Sequence, residues 1–237
     1  MDPKAGISVV IIAYNEANNI GRCIDSVADI ASEILVVDSF STDNTPAIAA
    51  SKGARVIQHA FEGHIQQKNW AKDQATFDWV LSLDADECLS STLSENLKIA
   101  IQQGLTYGKT KGYAFSRLNH LGQRAIRGCG WYPDKKMRLW DRTSGTWAGK
   151  NPHDKFVIDS QYKTGSMEGD ILHYTYPNLD AVKKQAIKFG KIGGAALREF
   201  WHIEASGTVW QRFFWPRQSG MYWIFFFKLL TAGLSRF

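Results

Sequence analysis

Asp84 and Asp86, separated only by Ala85, have the spacing in this chain that most readily does chemistry. They follow Trp79-Val80-Leu81-Ser82-Leu83, an apolar run that reads as a buried strand. Two carboxylates at the end of such a strand are poor for packing. They are good hard-oxygen donors for a divalent cation held against phosphate oxygens. A second apolar run, Ile7 to Ala13, ends in Tyr14-Asn15-Glu16, and a third, Glu33 to Val37, ends in Asp38. Open α/β sheets bind ligands at the carboxyl ends of their strands. Carboxylates there can accept bonds from ribose hydroxyls or a base imide, and a tyrosine can stack on a base. The pattern predicts a site for a nucleotide-diphosphate sugar. Glu87, next in the chain, is read either as a partner of a metal ligand or water, or as a loop acid.

The elements that must hold these residues follow from periodicity. Ile7 to Ala13 is β-branched and apolar, as expected of a strand covered on both faces. Ile20, Cys23, Ile24 and Val27 fall at i, i+3, i+4 and i+7 and predict a helix. Glu33 to Val37, Arg55 to His59 and Trp79 to Leu83 predict strands. Thr45-Pro46 predicts an N-cap with proline at the first helical position, and Gly53 predicts the end of that helix. Ile65 to Ala75 reads as helical, and Thr92-x-x-Glu95 predicts a capping box ahead of a helix running to about Gln103. This alternation predicts an α/β fold with a doubly wound, Rossmann-like, mostly parallel sheet and helices on both faces. From Gly112 the texture changes to short strands, Gly112 to Asn119, Met137 to Asp141 and Lys155 to Ile158. From Leu179 to about Ile203 it turns helical and lysine-rich, which predicts a C-terminal helical appendage. The expected organisation is a catalytic domain over 1–178, with a nucleotide-sugar half (1–110) and an acceptor half (111–178), then a basic aromatic region over 179–237.

Charge divides the same way. Residues 1–104 hold 7 Lys/Arg against 14 Asp/Glu, whereas residues 105–237 hold 21 against 9 and seven of the nine tryptophans. An acidic half suits a metal, and a basic aromatic half suits an anionic acceptor or a membrane surface. Three cysteines without metal-type spacing fit a reducing compartment rather than a disulfide scaffold. No secretory leader and no spanning helix are expected. The first strand is not followed by G-x-G-x-x-G, and G-x-x-x-x-G-K-[ST] is absent, which argues against a dinucleotide-binding Rossmann enzyme and a P-loop NTPase.

Taken together, ISVVIIAYNEANNIGRCIDSV, EILVVDSFSTDNT, QQKNWA and WVLSLDADE resemble, in order and spacing, the nucleotide-binding half of family 2 glycosyltransferases with the GT-A fold. Gln66 to Ala71, Arg138-Leu139-Trp140, Pro152-His153-Asp154 and His173 to Pro177 are similar to motifs of bacterial lipopolysaccharide core β-glucosyltransferases. That resemblance implies an inverting enzyme that uses a UDP-sugar with Mn²⁺ or Mg²⁺ and acts peripherally at the inner, cytoplasmic face of the cytoplasmic membrane. It assigns Ala13, Tyr14, Glu16 and Asp38 to the nucleotide and Lys68 to the nucleotide or diphosphate. Asp84, Ala85 and Asp86 go to ribose, metal and diphosphate. Asp154 becomes the general base, across the donor from Asp86, and His173 a further metal ligand beside Asp86. His153 either orients Asp154 or contacts the acceptor.

Trp131 and Tyr132, with Arg127, Lys135, Lys136 and Arg138, are read as a seat for a phosphorylated sugar acceptor, since aromatic faces pack on pyranose C–H surfaces and cations pair with phosphates. The basic aromatic tail is read as lying on anionic lipid, with packing on the catalytic domain or at a homo-oligomer contact as the alternative. No nucleic-acid partner is expected. The expected activity is transfer of a hexose, glucose by the resemblance, to a lipopolysaccharide-core or lipid-linked saccharide. The alternatives are a sugar nucleotidyltransferase and a non-catalytic membrane-surface adaptor that keeps the fold.

Overall fold

The structure, a computed structural model, describes residues 6–105, 109–128, 130–151, 153–184 and 187. The described residues fall into two compact units, one within Met1–His120 and Arg124–Thr175, the other within Leu121–Gln123 and Tyr176–Phe237.

The first unit opens with β1 (Ile7–Ala13), α1 (Ile20–Asp25), β2 (Glu33–Asp38), α2 (Thr45–Ser51), β3 (Arg55–Gln58), α3 (His64–Asp73) and β4 (Trp79–Asp84). There follow β5 (Glu87–Leu89), α4 (Ser91–Gln102), β6 (Thr110–Leu121), β7 (Arg124–Ala125), β8 (Asp134–Asp141), β9 (Gly145–Lys150), β10 (His153–Ile158) and β11 (Lys163–Tyr176). The main sheet runs β3-β2-β1-β4-β8-β6-β11-β5, with β7 paired to β6, and β9 and β10 form a separate hairpin.

The parallel part spans β3, β2, β1 and β4. Beyond β4 the pairings of β8 with β4, β6 with β8 and β5 with β11 are antiparallel. The expected α/β sheet with helices on both faces is present, and its parallel character belongs to the first half. The alternation along β1 explains why both faces are covered. Val9 and Ile11 join Ile20, Cys23 and Ile24 of α1, Ala49 of α2 and Leu93 and Leu97 of α4 in one core layer. Val10 joins Leu35, Val37 and Val80, Ala71 of α3, and Trp147 and Phe156 of the β9–β10 hairpin in the other. Each fully buried Ile or Leu in these layers is worth roughly 1.5–3 kcal/mol.

Two helix starts differ from the sequence reading. Asn44, not Thr45, is the N-cap of α2, because the Thr45 hydroxyl is engaged elsewhere, accepting the Glu16 N–H at 2.8 Å. The cap of α4 is Ser90, whose extended backbone lets its Oγ accept the Leu93 N–H at 3.2 Å, so Thr92 and Glu95 lie inside the helix.

In the second unit, the Gly122 N–H donates to the Tyr176 carbonyl at 2.7 Å. Residues 179–184 and 187 are helical. The rest of the expected helix and the basic aromatic tail lie outside the described residues. Among the described residues, no helix is long and apolar enough to cross a membrane.

Candidate active site

A cavity of about 1060 Å³ opens at the carboxyl ends of β1 and β4. It gathers Ala13, Tyr14, Glu16, Lys68, Asp84, Ala85, Asp86, Arg138, Asp154 and His173 from the residues singled out in the sequence.

The acidic turn between β4 and β5 is held from below by Glu87. This side chain is 0% exposed. Its Oε2 accepts the Asp84 N–H at 3.0 Å, and its Oε1 accepts from Arg138 Nη2 at 2.7 Å. The same Nη2 reaches Asp84 Oδ2 at 2.9 Å, and Lys68 Nζ lies 3.0 Å from Asp84 Oδ1. Burial raises the pKa of Asp84, but Lys68 and Arg138 outweigh it and hold the carboxyl well below the usual carboxylate range. The acids around Arg138 overcome the cost of its burial and hold its guanidinium above its ordinary value. Arg138 was expected at the acceptor. It is instead buried, and it ties Asp84 to Glu87. Its Nε and Nη1 have no hydrogen-bond partner among the described residues.

Lys68 also donates to Asp154 Oδ2 at 2.9 Å and lies over the Trp147 ring. The lysine therefore bridges the acidic turn and the expected base. Its neighbours in α3 explain how. Asn69 Oδ1 accepts the Trp147 N–H at 3.0 Å, and its Nδ2 donates to the Trp147 carbonyl at 2.9 Å. Trp140 of β8 stacks on Phe156 with ring centroids 4.0 Å apart and meets Trp147 edge-on at 5.3 Å. These contacts, each ring pair worth about 0.5–1.5 kcal/mol beyond its area, fasten the β9–β10 hairpin and with it Asp154. Gln67, fully buried, bonds His59 Nδ1 at 2.8 Å and Ser39 Oγ at 3.1 Å, which anchors the loop after β2.

Glu16 sits at the other side of the acids. Burial raises its pKa, Asp86, Asp43 and Asp84 add to the rise, and the Asn19 amide opposes it. Tyr14 is 58% exposed, free to cover a planar group. Asp38 was expected at the nucleotide but does not line the cavity. It is fully buried, its Oδ2 accepts the Ser41 N–H at 2.9 Å, and its Oδ1 has no partner among the described residues. Ser39 lines the cavity in its place. The loop above Asp38 is held by Asn15, whose Oδ1 accepts the Thr42 N–H at 2.8 Å and whose N–H donates to Ser41 Oγ at 2.8 Å. Both Asn15 (φ 54°) and Phe40 (φ 60°) adopt the left-handed region, a strain of order 1–3 kcal/mol for a residue such as Phe40.

His173 reaches the acids through pairing of β11 with β5, which sets it opposite Glu87. Its Nε2 lies 3.2 Å from Asp86 Oδ2, and its Nδ1 lies 2.6 Å from Asn119 Oδ1. Asn119 Oδ1 only accepts, so Nδ1 donates to it in the neutral ring, and Nε2 faces Asp86 Oδ2 with the Thr175 hydroxyl also in reach; a cation shared by Nε2 and Asp86 would displace that hydroxyl. Among the described residues no three His, Cys, Asp or Glu side chains converge as a metal cage. Two protein donors fit a hard cation completed by phosphate and water oxygens.

Trp131 and Tyr132 do not line the cavity. The Tyr132 hydroxyl donates to Asp170 at 2.9 Å, and Arg127 lies over the Tyr132 ring. His153 opens β10, and its side chain lies outside the described part. The sequence reading missed Arg117, Lys155, Trp147 and Phe156, all of which line the cavity. Arg117 and Asn119 sit two apart on β6, and that spacing was the available signal for one strand face carrying partners of Glu87 and His173.

Residues 8–113 match the family model described as Glycosyl transferase family 2. Over that stretch, a little under half of its length, the chain is similar to a family 2 glycosyltransferase domain. The match ends within β6, before Asp154 and His173. An uncharacterized glycosyltransferase of Rickettsia typhi (strain ATCC VR-144 / Wilmington) is 45% identical over 201 residues, covering 76% of this chain and 64% of that protein. The lipopolysaccharide core biosynthesis glycosyltransferase LpsC of Rhizobium meliloti (strain 1021) is 38% identical over 184 residues, covering 73% of this chain and 65% of that protein. The chain spans from about a third to just under two thirds of such relatives. The fold of this chain is also similar to a crystal structure of glucosyl-3-phosphoglycerate synthase from Mycobacterium tuberculosis. The TM-score is 0.52 at 19% identity, over 76% of this chain and 75% of that one.

Proposed function

We propose that this cleft transfers a hexose, glucose by its family resemblance, from a UDP-sugar to a saccharide acceptor with inversion at the anomeric carbon. The observation that carries the reading is the convergence on one cavity of Asp84, Asp86, Lys68, Asp154 and His173 from four separate elements and a turn. Tyr14, Glu16 and Ser39 line the side suited to the nucleoside. Lys68 pairs with the diphosphate as a point charge. Asp86 and His173 would hold a Mn²⁺ or Mg²⁺ ion, which when bound offsets the charge developing on the departing diphosphate.

Asp154 accepts the proton of the acceptor hydroxyl as its oxygen forms a bond to the anomeric carbon. The bond from that carbon to the UDP oxygen breaks, and UDP leaves with the electron pair. General-base assistance of this kind contributes about 10²–10⁴-fold. The resemblance and the Rhizobium meliloti relative, named for lipopolysaccharide core biosynthesis, support a core or lipid-linked saccharide as acceptor and action at the inner membrane face. The test is UDP release from a panel of UDP-sugars with Mn²⁺, with and without core oligosaccharide. Asp154→Asn is expected to lower acceptor-dependent release by about 10²–10⁴-fold while UDP binding persists. Acceptor-dependent turnover equal to wild type would overturn the assignment of Asp154.

A further inference from the structure

Lys and Arg side chains line the cavity at six positions: Lys68, Arg117, Lys135, Lys136, Arg138 and Lys155. Four of them are held by carboxylates. Lys68 pairs with Asp84 and Asp154, and Arg138 with Asp84 and Glu87. Arg117 pairs with Asp134 at 2.8 Å, and Lys136 with Asp134 at 3.0 Å. Lys135 and Lys155 have no acidic partner among the described residues, and both are exposed. An exposed lysine is ordinary on a protein surface. These two differ in lining the cavity that contains Asp154, to which Lys155 is adjacent in sequence. They come from β8 and β10, which pack beside one another. Aromatic rings lie in the same lining: Trp147 and Phe156 are nearly buried, and Phe61 is 51% exposed.

From this arrangement we infer that Lys135 and Lys155 form an anion-binding subsite for the acceptor, which is a saccharide carrying a phosphate or carboxylate group. The inference rests on the glycosyltransferase reading and adds the chemical class of the acceptor. Two exposed ammonium groups attract an anionic group into the cleft, and Phe61, the exposed ring of the three, offers an apolar face to the sugar. Lys136 stays tied to Asp134, so it steers the same anion only as background charge. The subsite keeps Lys135 of the seat expected around Trp131 and Tyr132, neither of which lines the cavity, and adds Lys155.

The experiment is calorimetric titration of the protein with Mn²⁺ and UDP present, using a de-acylated lipopolysaccharide core oligosaccharide as probe. Three forms of the probe are compared: intact, phosphatase-treated, and with its carboxylates esterified. Wild type is expected to bind the intact probe at least 10-fold more tightly than one of the two modified forms, and the form that loses affinity identifies the anionic group. The double variant Lys135→Ala/Lys155→Ala is expected to lose at least 10-fold in affinity for the intact probe with UDP affinity unchanged. Unchanged probe affinity in that variant would overturn the subsite, as would equal binding of all three forms or failure of wild type to bind any. A matching loss of UDP affinity would also overturn it, by assigning these lysines to the donor. UDP binding measured alone reports separately on the donor site, so failure of the subsite and failure of the glycosyltransferase reading are distinguishable.

Discussion

Around the β4–β5 turn the strong charges answer one another within the protein: Glu87 and Asp84 share Arg138, and Asp84 and Asp154 share Lys68. On the facing strands β8 and β10, Lys135 and Lys155 carry charges that no described carboxylate answers. The difference separates two uses of charge in one cleft. A buried, answered charge shapes the backbone that presents Asp84 and Asp86, and its loss is felt as instability. An exposed, unanswered charge adds little to the fold, and its loss is felt in binding.

Three variants sharpen or break that contrast. The largest stability effect is expected for Glu87→Ala, which removes the partner of a buried guanidinium and the acceptor for the Asp84 N–H. Such a change costs about 3–5 kcal/mol, read as a lowered midpoint in urea unfolding; a loss below 1 kcal/mol would mean that Arg138 is satisfied without it. Glu16→Gln should have a smaller and opposite effect at neutral pH. The folded protein raises the Glu16 pKa, so this group's favourable contribution is complete below the unfolded-state value of about 4.3 and is lost as pH rises through the raised folded value. A neutral glutamine avoids that loss, so the variant is expected to gain stability relative to wild type at pH 7 but not at pH 4, measured by thermal unfolding at both. Equal effects at the two pH values would contradict the burial and like-charge origin of the shift. The smallest effect is expected for Lys135→Ala/Lys155→Ala, whose unfolding free energy should stay within about 0.5 kcal/mol of wild type. A larger loss would place these lysines among the structural charges.

Much of the nucleotide-side fold was legible because local patterns decide it. The alternating apolar strands and the i, i+3, i+4 pattern from Ile20 are consequences of covering a parallel sheet on both faces, and the cavity forms at the strand ends where the carboxylates were read. The antiparallel half was less legible. Neither β11 nor β9 was foreseen, because polar and glycine-rich residues interrupt their apolar pattern and their partners are distant in sequence. His173 is adjacent to Asp86 only through the pairing of β11 with β5, a register that no local signal encodes. The burial of Asp38 and Arg138 was hidden for a related reason. A carboxylate or guanidinium beyond a strand looks the same in sequence whether it meets a ligand or ties a loop, and burial decides between the two. The role of Gln67, Lys68 and Asn69 as a joint between two loops and a hairpin became visible only in their long-range hydrogen bonds.

The most direct measurement is Mn²⁺-dependent UDP binding and UDP release from UDP-glucose by wild type and Asp86→Ala, with urea unfolding run in parallel to establish that the variant is folded. Wild type is expected to bind UDP more tightly with Mn²⁺ and to release UDP from the sugar donor, and the folded variant is expected to lose both the metal dependence and the turnover. Wild-type turnover by Asp86→Ala would contradict that expectation.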